Sequence, residues 1–167
     1  MSGPHIQSAP PVGVGDDERW LVQAAVSAAD GAELRFAIET SCVVEVVEHE
    51  AMDTLPPGCS PFVGVLDLRG LPVPVLDLQL SLTGRALAVS PGAPPPRVLI
   101  WNDGGRWIGV LVSRTFSNRA HAPGDLLPVP EALVHAHGGA IANLLRVDRG
   151  YVYVLDIARL TEVRRAA

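Results

Sequence analysis

Apolar and polar positions alternate over short stretches along most of this chain, and no long helical stripe emerges. The densest stretch is Phe62 to Leu78, F-V-G-V-L-D-L-R-G-L-P-V-P-V-L-D-L. Two Val- and Leu-rich runs, 62–68 and 73–78, are joined at Arg69-Gly70. Each is too short for a stable lone helix, which predicts two adjacent strands. Alternation puts Val63, Val65 and Asp67 on one face and Phe62, Leu66 and Leu68 on the other. Pro72 and Pro74 carry no amide donor, so the second strand is expected at an edge or with an irregularity. A sheet edge ending beside a charged Arg is either blunted against aggregation or built to receive a partner.

The same pattern predicts strands over Trp20–Val26, Leu34–Ile38 and Cys42–Val47. In the last, Val44 and Val46 face one way while Val43, Glu45 and Val47 face the other. Asp77–Leu82 fits one short helical turn. Arg97–Trp101 and Trp107–Val112 flank Asn102-Asp103-Gly104-Gly105, a strong hairpin signal because these residues tolerate positive φ. Ile141–Val147 and Tyr151–Ile157 form a last hairpin over Asp148-Arg149-Gly150. Glu131 to His137 reads as a short helix ended by Gly138-Gly139. A closing helix is expected from Ile157 to Ala166, with Arg164 and Arg165 suiting its C-terminus. Residues 1–16 read as a flexible tail, and 85–96, containing P-G-A-P-P-P, as a stiff connector between halves.

A weak internal repeat accompanies this layout. Val73-Pro74-Val75-Leu76-Asp77-Leu78 recurs as Val152-Tyr153-Val154-Leu155-Asp156-Ile157, Arg35-Phe36 as Arg106-Trp107, and Leu55-Pro56 as Leu127-Pro128. Many short strands without long helices, duplicated once, imply a mainly β chain of two small barrels packed together. The lobes are expected at 19–84 and 97–160, within one domain over 17–164.

Composition narrows the function. At 167 residues with 48% hydrophobic and 19% charged residues, the chain fits one globular domain or two small lobes sharing a core. A net charge of −5 without any basic run argues against nucleic acid as a partner. All thirteen basic residues are Arg, which removes the P-loop, Schiff-base and kinase-strand lysines together. Cys42 and Cys59 form no C-x-x-C pair, which suits a reduced setting. The amino terminus lacks the layout of a secretory signal, and no apolar run approaches ~18 residues. The expectation is a cytoplasmic protein without membrane insertion.

Little catalytic chemistry is legible. His135 and His137 stand two apart, a spacing whose side chains diverge on a helix, so surface histidine is the better reading than a metal site. No nucleophile elbow, dinucleotide fingerprint or zincin motif occurs, and neither cysteine has a local histidine partner. No catalytic residue, metal or cofactor is expected. Asp77 and Asp156, each ending a strand, read as helix N-caps rather than as paired carboxylates. Glu45 and Arg69 are either two exposed residues with at most a weak surface contact, or a charged pair beside an apolar strip that sets partner register.

Three segments together resemble the CheW-like family of chemosensory adaptors. Phe36-Ala37-Ile38 with Val43-Val44-Glu45-Val46 resembles its aromatic-x-Ile then V-x-E-V/I pattern. Phe62 to Arg69-Gly70, then Val73 to Leu78, resembles its G-V-x-N-L-R-G-x-x-V-P-V-x-D-L signature. Ile108 to Val112 resembles its second-half G-x-x-V strand. The resemblance implies two five-stranded SH3-like barrel lobes around a common core, with short helices. It also implies a non-enzymatic scaffold that bridges chemoreceptor cytoplasmic tips to the regulatory domain of a CheA-type histidine kinase. Carried over by position, Val43, Glu45, Gly64 and Arg69 fall on the implied partner-binding surface, and an ion pair between Glu45 and Arg69 is expected. The chain departs from the pattern at Asp67, where Asn is usual, at Thr40, where an aliphatic is common, and at Ser113-Arg114, where Val-Asp is usual. Its length matches a stand-alone adaptor, in swimming chemotaxis or in an accessory motility or non-motility pathway. A ring component contacting other CheW-like domains is a variant of that reading. A small enzyme or ligand sensor using the cleft between lobes is the reading from another class.

Overall fold

The computed structural model describes residues 19–27, 30–89 and 91–162. The expected tail, and the end of the closing helix with Arg164 and Arg165, lie outside the described residues. The chain is mainly β, as expected, with twelve strands in two sheets and two short α-helices among the described residues. In order these are β1 (Arg19–Ser27), β2 (Glu33–Glu39), β3 (Val43–Glu48), β4 (Phe62–Leu68), β5 (Leu71–Asp77), α1 (Leu78–Thr83), β6 (Arg97–Asp103) and β7 (Arg106–Val112). Then come β8 (Arg114–Thr115), β9 (Arg119–His121), β10 (Leu126–Leu127), β11 (Ile141–Val147), β12 (Gly150–Leu155) and α2 (Ile157–Glu162). The helix expected over 131–137 is two 3₁₀ turns, Glu131–Leu133 and Ala136–Gly139. No helix among the described residues is long and apolar enough to cross a membrane.

The five-stranded sheet has the order β3-β6-β7-β5-β4. Two of its antiparallel pairs, β4–β5 and β6–β7, close over two-residue loops. Gly104 and Gly105 turn β6 into β7 with φ of 59° and 92°, and Arg69 and Gly70 turn β4 into β5 with φ of 51° and 88°. Two consecutive positive φ values give the hairpin twist that matches strand twist. Leu66, Leu68, Val73, Val75, Val98, Ile100 and Leu111 form the core on this sheet. Gly109 is required where it is, because a Cβ there would lie 2.8 Å from Val98 Cγ1.

The prolines of β5 do not mark an edge strand. β5 lies inside the sheet, antiparallel to β4 and parallel to β7. Its pairing with β7 spans only Val75 to Asp77. Val65, opposite Pro74, turns its N–H and C=O away from β5 and exchanges both bonds with Asp53 at 3.0 Å. Pro74 therefore owes no hydrogen bond to β4, and Pro72, two residues earlier, points the same way. Both prolines sit where β7 has not yet begun to pair. A bulge between Phe62 and Gly64 also moves Phe62 off the face expected to hold Leu66.

The second sheet has seven strands, not the expected five, along β10-β11-β12-β2-β1-β8 with β9 also on β1. The excess comes from fragmentation, since β8, β9 and β10 are only two or three residues long. Between β8 and β9, Phe116 N–H still donates to the Gln23 carbonyl at 2.8 Å. Leu21, Ala37, Leu145, Val152 and Val154 form the core here, and the rings of Phe36 and Tyr153 lie 6.3 Å apart.

The chain forms two compact units, but they are not its consecutive halves. β6 and β7 belong with β3, β4 and β5, while β1 and β2 share a sheet with β11 and β12. The lobe boundaries 19–84 and 97–160 are thereby corrected, and the segment 85–96 joins α1 to β6 within one unit. Parallel pairing of β5 with β7, and of β12 with β2, is the physical reason, because neither parallel pair can be closed by a tight turn. The internal repeat survives this correction. β5 with α1 and β12 with α2 are equivalent, each a parallel-paired strand ending in an Asp that caps a short helix.

Candidate protein-interaction site

β3 ends the path of the five-stranded sheet, and its first residues are irregular. Val43 pairs with Trp101 and Glu45 with Ile100, which are consecutive on β6, so Val44 is the extra residue of a bulge. The bulge separates residues that strict alternation would group. Val43 turns inward beside Trp101 and is 3% exposed, whereas Val44 is 38% exposed. Glu45 shares its face with Val47, which packs on the core. Its carboxylate therefore emerges at the rim of an apolar surface.

Arg69 approaches from the opposite end of the sheet path, at the β4–β5 turn. Its Nη1 donates to Glu45 Oε2 at 3.4 Å and its Nη2 donates to Glu45 Oε1. The two parallel contacts make a forked guanidinium–carboxylate pair that fixes orientation as well as proximity. The hydrogen bond to Glu45, and then its charge, raise the Arg69 guanidinium above its usual value. The Arg69 side chain is 72% exposed and that of Glu45 23%. The pair thus stands at the surface and ties the terminal strand β3 to the turn of the distant hairpin. The pairing expected from sequence is formed.

The other two anticipated contact residues are not surface groups. Val43 is 3% exposed. Gly64 is buried beneath the segment leading into β4, and a Cβ on it would lie 2.8 Å from Met52 Cβ and 3.1 Å from the Asp53 carbonyl oxygen. Gly64 lets Asp53 exchange its two backbone bonds with Val65 along the outer side of β4. Val43 and Gly64 are thus buried, while Glu45 and Arg69 stand at the surface.

Two features escaped the sequence reading. One is the bulge at Val44, which leaves no compositional trace. The other is Asp67, whose Oδ1 accepts from Gly70 N–H at 2.6 Å. Its signal was available in the spacing, because Asn102 Oδ1 accepts from Gly105 N–H at 2.9 Å in the β6–β7 hairpin, again three residues apart. Elsewhere, Cys42 and Cys59 are free thiols. No group of three or more His, Cys, Asp or Glu side chains among the described residues is placed to hold a metal ion.

Comparison with known proteins adds an independent line. No curated protein matches the chain. Among solved structures it is similar to the scaffolding protein TtCheW from Thermoanaerobacter tengcongensis, with a TM-score of 0.67 at 19% identity, over 83% of this chain and 88% of that one. At that identity the likeness speaks for the fold. A model of the CheW-like domain matches residues 27–165, which takes in the Glu45–Arg69 pair and every strand from β2 to β12. The chain belongs to the CheW-like domain family.

Proposed function

We propose that this protein is a non-catalytic adaptor that couples the cytoplasmic tips of chemoreceptors to the regulatory domain of a CheA-type histidine kinase. Membership in a scaffold family supports the adaptor class. The observation that carries the finer reading is the exposed Glu45–Arg69 pair, formed at two positions where the family resemblance puts partner contacts. A forked pair on a partly apolar rim suits register-setting, since wrong partners would meet unmatched charge. On this reading the protein works at receptor arrays on the cytoplasmic face of the membrane and needs no cofactor. An accessory motility or non-motility pathway would use the same surface.

Co-sedimentation with the receptor signalling tip and the CheA-type kinase of the same genome tests it. Wild type is expected to join both. Glu45→Arg and Arg69→Glu should each weaken binding by about tenfold, with the double exchange recovering part of the loss. Wild-type protein that sediments with neither partner, and leaves kinase activity unaltered, would rule out coupling. Single reversals that bind like wild type would remove the pair from the contact surface.

A further inference from the structure

We infer that Asp67 is a positioning residue, which holds the Arg69 backbone so that the guanidinium meets Glu45. The inference rests on the coupling function proposed above for its purpose, although not for its geometry. A two-residue loop of this hairpin type needs positive φ at both positions, and Gly or Asn is the residue that supplies it readily. The β6–β7 hairpin follows the rule with Gly104 and Gly105. The β4–β5 hairpin breaks it at one position, where Arg69 is held at φ 51°. A long cationic residue in that conformation is an outlier that surrounding structure must enforce.

Contacts around the turn enforce it. Gly70 N–H points into the turn and donates to Asp67 Oδ1 at 2.6 Å, fixing the second loop residue. Leu68 pairs with Leu71, which fixes the two ends. Leu71 and Leu68 are anchored in the apolar core of the sheet. Arg69 is the residue left between these restraints, and its side chain projects to β3. The equivalent bond in the other hairpin comes from an Asn, Asn102, so the requirement is for a carbonyl-type oxygen rather than for negative charge. This also accounts for Asp standing at position 67 where the family pattern has Asn.

The test compares Asp67→Ala with Asp67→Asn in the full chain. In the free protein, Asp67→Ala should speed exchange of the Gly70 amide by about tenfold and abolish the slowly exchanging Arg69 guanidinium signal in NMR spectra, while Asp67→Asn retains both. Affinity for receptor tip and kinase should fall by about three- to tenfold in Asp67→Ala, as the competent turn becomes a minor conformer, and stay near wild type in Asp67→Asn. Asp67→Ala with unchanged Gly70 exchange and Arg69 signal would overturn the inference. So would loss of both signals with binding intact, or equal loss in Asp67→Asn. Wild-type protein that binds neither partner would end the coupling proposal alone, because the free-protein signals still decide the role of Asp67.

Discussion

Asp77 and Asp156 hold equivalent places in the two halves of the repeat, yet only Asp77 is locked in. Asp77 is 2% exposed, with Oδ1 accepting from Leu80 N–H at 3.0 Å and Oδ2 accepting from Leu87 N–H at 2.7 Å. It caps α1 and at the same time fastens the segment that follows the helix. The Asp156 side chain is 40% exposed and accepts one backbone bond, from Arg159 N–H at 3.2 Å. Asp77→Ala leaves two donors without their acceptor and should cost roughly 2–4 kcal/mol, against about 0.5–1 kcal/mol for Asp156→Ala. Urea unfolding of the two variants checks the ranking, and equal losses would contradict it.

Gly64→Ala forces a Cβ to within 2.8 Å of Met52 Cβ. The segment bearing Met52 and Asp53 has to move away from β4, weakening the two Asp53–Val65 bonds. A loss of about 1–3 kcal/mol is expected, in the range of overpacking mutations. Because Gly64 offers no surface of its own, any fall in partner binding should track the fall in stability across temperature. Weakened binding at full stability would instead make Gly64 a direct contact.

Two departures from the family pattern carry a cost that can be removed. Thr40 Oγ1 and Ser113 Oγ are buried without a hydrogen-bond partner among the described residues. Thr40→Val keeps the shape and discards the unsatisfied hydroxyl, so it should stabilise the protein by about 1 kcal/mol, with Ser113→Ala acting in the same direction. Thermal melts that shift downward in both variants would mean the hydroxyls are satisfied after all.

Burial, the largest cause, lowers the His121 imidazole below its ordinary 6.5, Arg119 adds to this and Asp125 opposes it. The unfolded chain then takes up a proton at higher pH than the folded one, so stability rises with pH between the two values. The protein should lose stability as pH drops through 6.5, and the loss should be complete below the folded value. His121→Gln should flatten that slope. A variant that melts with the same pH dependence as wild type would place the effect on other groups.

Hairpins were legible in the sequence and long-range pairings were not. Asn102-Asp103-Gly104-Gly105 and Gly70 announce their turns because positive φ is chemically selective, and each turn then fixes the register of its neighbours. The caps at Asp77 and Asp156 were legible for the same reason, as local donors need local acceptors. Nothing local says that Val75 will pair with Gly109 or Tyr153 with Phe36, since any Val-rich run satisfies a parallel partner. The five-strand expectation failed at β8 and β9, where a break near Phe116 splits one run along β1. At the site, Glu45 and Arg69 were legible as charges among apolar neighbours. The inward turn of Val43 was not, because a one-residue bulge reverses facing without altering composition.

Parallel pairing of β2 with β12 has a consequence for synthesis. Phe36 leaves the ribosome long before Tyr153, its neighbour in the finished sheet. At typical elongation speeds the interval is on the order of ten seconds, ample for the open edge of β2 to find a wrong neighbour. The edge of β2 that meets β12 therefore stays open until the final hairpin emerges, and a chain truncated before β12 is expected to expose it.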